Sequence, residues 1–333
     1  MLPIRTLIAL LLASAAGCSL ELGFSVSKSH SYSTDNEPEA GTQFVHPVDG
    51  AIMVYVPAGE FTMGADVEDA QRLADLLGYD DYHEFAAQEW FPKRNVYVEG
   101  YFIDQYEVTI DRWRHFLIDT DTQPLKGPTA DVGDEYDIYP AVKVFWAEAQ
   151  QYANWAGKAL PTEAQWEKAA RGTDARLFPW GDEPPTHDRG VFVTDLKHAS
   201  ASTSMPVGSK PRGASPYGCM DMAGNVYEWT SEWMEPYMNN PEADSIISYM
   251  GHKAGVLRGG SFYHADHAYC AAKRFGFEAD ESYYHVGFRT VWVPPADYFQ
   301  SGQFQDDQAA VSAREAALEQ MRHRAADRQP GVR

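Results

Sequence analysis

Leu160-Pro-Thr-Glu-Ala-Gln-Trp-Glu-Lys-Ala-Ala-Arg-Gly172 decides the fold class, because it is the clearest helix in a chain otherwise full of turns. Thr162 with Gln165 three residues on makes a capping box, Trp166, Ala169 and Ala170 face inward, and Gly172 closes the run. Upstream, Asp111 to Ile118 sets Trp113, Phe116 and Leu117 on one helical face. Trp146 to Ala156 does the same with Trp146, Ala149, Tyr152, Ala153 and Trp155, ahead of Gly157. Strand signals surround these helices. Ala51 to Val56 is apolar and β-branched, Pro57 to Gly64 adds a turn and a second strand, and Tyr97 to Ile103 and Tyr106 to Thr109 follow. Val256 to Phe262 and Val286 to Trp292 read as strands near the end. From Gly172 onward about eighty residues show no period, and loops that long are usually functional or hold an ion. The sum is an α+β fold, loop-rich, with little regular secondary structure.

Composition narrows the function. The 333 residues carry 27 Lys+Arg against 48 Asp+Glu, a formal net charge of -21, and no basic patch stands out. Nucleic acid is excluded as an expected partner, since phosphate binding needs a Lys/Arg stripe. A hydrophobic content of 44% supports a large core, and three cysteines are too few for a disulfide scaffold. No P-loop, HExxH, Gly-x-Ser-x-Gly elbow or dinucleotide fingerprint is present.

The ends differ from the middle. Arg5, the apolar Leu7 to Leu12 and the small residues Ala13 to Gly17 form an export signal over residues 1–17. Ala15-Ala16-Gly17-Cys18 resembles the bacterial lipoprotein signal, in which the cysteine receives acyl chains such as palmitate; Ala15 stands where Leu is usual. The alternative is a plain signal peptide cut near Ala16. Lipidation at Cys18 implies a membrane-held protein of the bacterial cell envelope, periplasm-facing or on the outer membrane, for which Ser19 is the weaker hint. Residues 18–44 read as a flexible tether, 45–295 as the folded body, and 296–333 as a charged helix and tail. The helix spans Gln305 to Asp327, with Val311, Leu318 and Met321 for a thin contact.

Eight motifs then carry a family resemblance. They are Met53 to Gly64, Phe102 to Thr109, Pro140 to Trp146, Leu160 to Gly172, Phe178-Pro-Trp-Gly181, Tyr217 to Trp229, Leu257-Arg-Gly-Gly-Ser-Phe262 and Val286-Gly-Phe-Arg289. In this order they resemble the formylglycine-generating enzyme (sulfatase-modifying factor) domain, from about Met53 to Val293. The resemblance implies a compact α+β fold related to C-type lectins, with bound calcium. It assigns calcium to Asp221, Gly224, Val226 and Glu228; a loop offering two carboxylates and carbonyls between them suits a hard cation, and Gly224 permits the bend. The bland alternative is that Asp221 and Glu228 hydrogen-bond backbone amides. A second calcium site falls between Phe178 and Val207, near Asp182, Asp188 and Asp195, without assignable ligands.

The family's oxidation of a substrate cysteine to formylglycine needs two thiolates on copper(I). Counted from Gly259-Gly260-Ser261, those positions hold His264 and Tyr269. Copper is therefore not expected, although Ser261 matches a family active-site serine. His264, His267 and Cys270, with His252 and His285 near in sequence, offer ligands for another redox metal, or are a hydrogen-bonded loop and a small buried thiol. Cys219 and Cys270 either pair or stay buried as thiols. Trp180, Trp229, Trp233, Phe262 and Tyr263 line a groove or fill the core, and Arg258 and Arg289 brace loops. The expectation is a calcium-stabilised binding or scaffold module with an envelope protein or peptide partner. The alternative is a divergent oxygen-dependent oxidase acting on an envelope peptide or small molecule, as some periplasmic relatives do in siderophore maturation; formylglycine generation ranks last.

Overall fold

A computed structural model describes residues 37–81, 90–123, 132–192, 203–235, 254–295 and 297–328. The export signal, Cys18 and most of the tether lie outside the described residues, as do Asp195 and His252. Three small sheets carry the fold. The first has strand order β1-β2-β5-β10, from Gln43–Val45, Ile52–Val56, Tyr101–Asp104 and Val291–Trp292. A two-stranded ribbon pairs β3 (Gly59–Met63) with β4 (Arg94–Val98). The third runs β8-β7-β6-β9, from Phe275–Glu278, Ala254–Arg258, Tyr227–Trp233 and Val286–Phe288, with β6 and β9 parallel. The helices that share their core are α1 (Val67–Leu77), α2 (Ile110–Thr120), α3 (Trp146–Trp155) and α4 (Glu163–Arg171).

Helix α4 ties the three sheets together. Its Thr162 capping box and Gly172 end are where the sequence places them. Three consecutive buried side chains of the helix go to three different elements. Trp166 Nε1 donates to Glu228 on β6 at 2.7 Å, Glu167 receives the Arg258 guanidinium from β7, and Lys168 Nζ donates to the carbonyls of Pro57 and Gly59 beside β3. A buried carboxylate or ammonium is tolerated only when paired in this way. Arg258 and Arg289 are thus braces, as expected from their strand positions.

Some boundaries move. Gln43 to Val45 pair with Ile52 to Val54, and Gly41 N donates to Tyr55 O, so the body begins before residue 45. Tyr106 to Thr109 form no strand; Thr109 caps α2 instead, its Oγ1 accepting from Arg112 N. Strand β7 stops at Arg258 because Gly259 and Gly260 take φ of 92° and 72°; a Cβ on Gly260 would lie 2.7 Å from the Tyr269 ring. Val286 to Trp292 divide between two sheets. The C-terminal helix is two, α5 (Gly302–Ala309) and α6 (Val311–Arg328), and its contact is not thin. Phe304, Leu318 and Ala325 are buried, and Arg322 Nε donates to Val207 O while its guanidinium lies over Tyr106.

Candidate functional site

The loop Cys219 to Val226 is shaped by left-handed backbone at Asp221, Gly224 and Asn225, with φ of 59°, 85° and 55°. Non-glycine residues in that region mark a conformation held by its surroundings. Asp221 accepts from Gly208 N at 2.6 Å and faces Glu107, while Asn225 Nδ2 donates to Glu107 Oε1 at 3.0 Å. Glu107 Oε2 meets no donor among the described residues. Burial first, and then the Asp221 charge, push the Glu107 carboxyl well above the usual range; burial raises Asp221 as well. Two acids therefore meet with too few donors, which is the condition a hard cation relieves.

Glu228 is elsewhere engaged. Arg289 holds both its oxygens, Nε on Oε2 and Nη2 on Oε1, each at 2.6 Å, and Trp166 adds a third bond. Both Glu228 oxygens are thus taken up by Arg289 and Trp166, while Asp221 faces Glu107. Gly224 and Val226 stay in the Asp221 turn, with Val226 packed on Val191 and Phe262. Glu107 and Asn225 are the residues that sequence reasoning missed; an acid set between Tyr106 and Val108 was the available signal. Of the second-site acids, Asp182 accepts from Leu177 N and Arg72, and Asp188 is paired with Arg212.

The Gly-Gly-Ser turn leads to a separate group. Ser261 Oγ lies 2.7 Å from His264 Nδ1 and also accepts from Tyr263 N. The His264 ring is 5.1 Å from that of His285 and 4.8 Å from that of Tyr227, on strand β6. Burial depresses both histidines to about 4, so they are neutral imidazoles at pH 7. Tyr269 is buried and its hydroxyl donates to His264 O. His267 turns away toward Tyr79, and Cys270 packs beside Phe178 and Trp90. The structure thus brings Ser261, His264 and His285 together and leaves His267 and Cys270 out.

Neither described cysteine forms a disulfide. Cys219 lies in the core around Trp166 and Tyr101, whereas Cys270 belongs to the neighbouring cluster. Burial pushes the Cys219 thiol up to about 11 and raises Cys270 too, so both stay protonated. Trp229 and Phe262 are core, Trp180 stacks on Phe178, and Trp233 and Tyr263 are exposed. A cavity of about 370 Å³ opens beside this region, lined by Tyr136, Tyr139, Val142, Lys143 and Tyr284 among others. Lys143 holds a φ of 59° there.

Comparison with known proteins fits this architecture. The profile described as a Sulfatase-modifying factor enzyme 1-like domain matches residues 39–294. The formylglycine-generating enzyme of Mus musculus is 28% identical over 321 residues, covering 80% of this chain and 82% of that one. The Streptomyces coelicolor enzyme of the same name is 40% identical over 167 residues, 45% of this chain and 52% of its own. Among solved structures, PvdO from Pseudomonas aeruginosa superposes with a TM-score of 0.59 at 24% identity, covering 77% of this chain and 99% of that one. Treponema denticola variable protein 1 gives 0.54 at 19% identity, over 76% and 98%. The chain belongs to the sulfatase-modifying factor family and has its mixed, loop-rich fold.

Proposed function

We propose that the chain is a lipid-anchored, calcium-stabilised binding module of the cell envelope that has kept the family fold without the copper chemistry. The observation that carries this reading is the fate of sulfur. His264 and Tyr269 stand where two thiolates are required, and Cys219 and Cys270 are buried in different cores with their protons held on. Copper(I) needs soft ligands that converge, and none do among the described residues. The cavity beside Lys143 and Tyr284 suits an extended peptide of an envelope partner, with aromatic walls for apolar side chains and one ammonium for a carboxylate. Calcium fits Asp221 and Glu107, where carboxylate oxygens outnumber donors, rather than Glu228. Its role there is to hold the 219–226 turn against the Gly208 loop. Acyl chains on Cys18 would keep the module at the membrane.

The test uses the full chain in detergent. Supplied with copper(I) and air, it should leave a Cys-x-Pro-x-Arg peptide without aldehyde by hydrazide labelling; aldehyde that depends on Cys219 or Cys270 overturns the binding reading. Calcium should raise the melting temperature, and Glu107→Gln should abolish the rise. A rise that survives Glu107→Gln but is lost in Glu228→Gln would return the ion to Glu228.

A further inference from the structure

A buried group of polar atoms around Ser261 lacks the partners that buried atoms ordinarily have. Both ring nitrogens of His285 and the hydroxyl of Tyr227 are buried without a hydrogen bond among the described residues. His285 is 7% exposed and Tyr227 1%. Native interiors leave few such atoms, and each one left asks for an occupant. Here the rings that carry them converge with a third: His264 is 5.1 Å from His285 and 4.8 Å from Tyr227, and Tyr227 is 6.3 Å from His285. Tyr263, Phe277, Tyr283 and Tyr284 surround the His285 ring, and Phe275 lies against His264 and Tyr227.

We propose that His264, His285 and Tyr227 form a binding site for a divalent transition-metal ion of the zinc class. Two imidazoles on one tetrahedral ion, with metal–nitrogen bonds near 2 Å, have ring centres about 5 Å apart, which is the spacing of His264 and His285. Among the described residues no three His, Cys, Asp or Glu side chains gather to hold a metal. The remaining unpaired buried atom of the group, the Tyr227 hydroxyl oxygen, is taken as the third donor. Ser261 is the positioning residue. With Nδ1–H of His264 donating to Ser261 Oγ, Nε2 keeps the lone pair that faces the ion, the usual arrangement behind a ligating histidine. Nitrogen donors prefer zinc-class ions to calcium, so this site and the Asp221–Glu107 site differ in the ions they take. It is also independent of whether a peptide fills the cavity at Lys143.

Zinc is titrated into the full chain in detergent, with millimolar calcium present, and followed by calorimetry; cobalt(II) replaces it for absorption spectra. One ion per chain should bind, with a tetrahedral cobalt spectrum. His285→Phe should lower the affinity at least 100-fold. Tyr227→Phe should lower it about 10-fold and change the cobalt spectrum, and Ser261→Ala should weaken binding within the 10–100-fold range of outer-shell partners. Circular dichroism checks that the variants fold. The proposal is overturned by no stoichiometric binding, or by binding equal in wild type and in His285→Phe, which would place the ion on surface histidines such as His187 and His323.

Discussion

Two buried polar regions of this protein obey opposite rules. Beneath the first sheet, Asp49 and Asp104 meet Arg112 and Lys158. Lys158 Nζ donates to Asp49 and Asp104 at 2.9 Å, and Arg112 Nη2 bridges the same pair at 2.6 and 2.9 Å. Tyr152 and Thr290 add their hydroxyls at 2.8 and 2.7 Å. Burial works against the charge on Asp49, yet Arg112 and Lys158 hold its carboxyl well below the usual range. Two anions and two cations close on one another, and among the described residues only Arg112 Nε of this set is left without a partner. Around Ser261 the imidazoles and the phenol carry no charge and too few partners. Ion lattices of the first kind join elements: the turn after β1, strand β5, helix α2 and the end of α3. Clusters of the second kind are where a ligand gains most from binding.

The contrast is broken most directly in the lattice. Lys158→Met leaves two buried carboxylates facing one guanidinium, and removing one partner of such a set costs about 3–5 kcal/mol. Urea denaturation should show that loss; a change under about 1 kcal/mol would mean that the lattice contributes no more than a surface pair. Tyr227→Phe, with a chelator present, should do the reverse. It deletes a buried hydroxyl that has no partner among the described residues, so stability should stay level or rise by about 1 kcal/mol. A fall of 2 kcal/mol would show that the hydroxyl has a protein partner and would erase the difference between the two regions.

How much of this was legible depends on whether a residue's neighbours lie near it in sequence. Thr162, Gln165 and Gly172 announce α4 because capping is local, and Trp166 announces its inner face. The same local signals exist for α1, where Asp66 and Asp69 form a capping box ahead of Ala70, Leu73 and Ala74, an element the strand-centred reading passes over. The end of β7 was misjudged because Gly260 is positioned by Tyr269, which only the folded chain brings to it. At the site, Ser261 and His264 are three residues apart and were visible. Glu107 and Asp221 are not, and the bond that ties Glu228 to Arg289 spans 61 residues. Pairing over such distances is set by strand order, and β6 beside β9 is a parallel pairing that no hairpin signal encodes.

Sulfur supplies the smallest contrast, a buried polar group that stays neutral and needs no partner. An unfolded cysteine loses its proton near 9, whereas burial keeps that of Cys219 to about 11. Between those values the folded state binds the extra proton, so this thiol's contribution is complete below pH 9 and is lost as pH rises toward 11. At pH 9.5 the loss is about 1 kcal/mol. Cys219→Ala lowers stability at every pH by the cavity it leaves, but the difference between wild type and variant should shrink by that amount between pH 8 and 9.5. A difference that stays constant would mean that Cys219 ionises as readily folded as unfolded, which requires a solvated or cation-paired thiolate. Such a thiolate is a copper ligand in waiting, so a flat curve would count against the same assignment that the peptide assay tests, by a measurement that needs neither metal nor substrate.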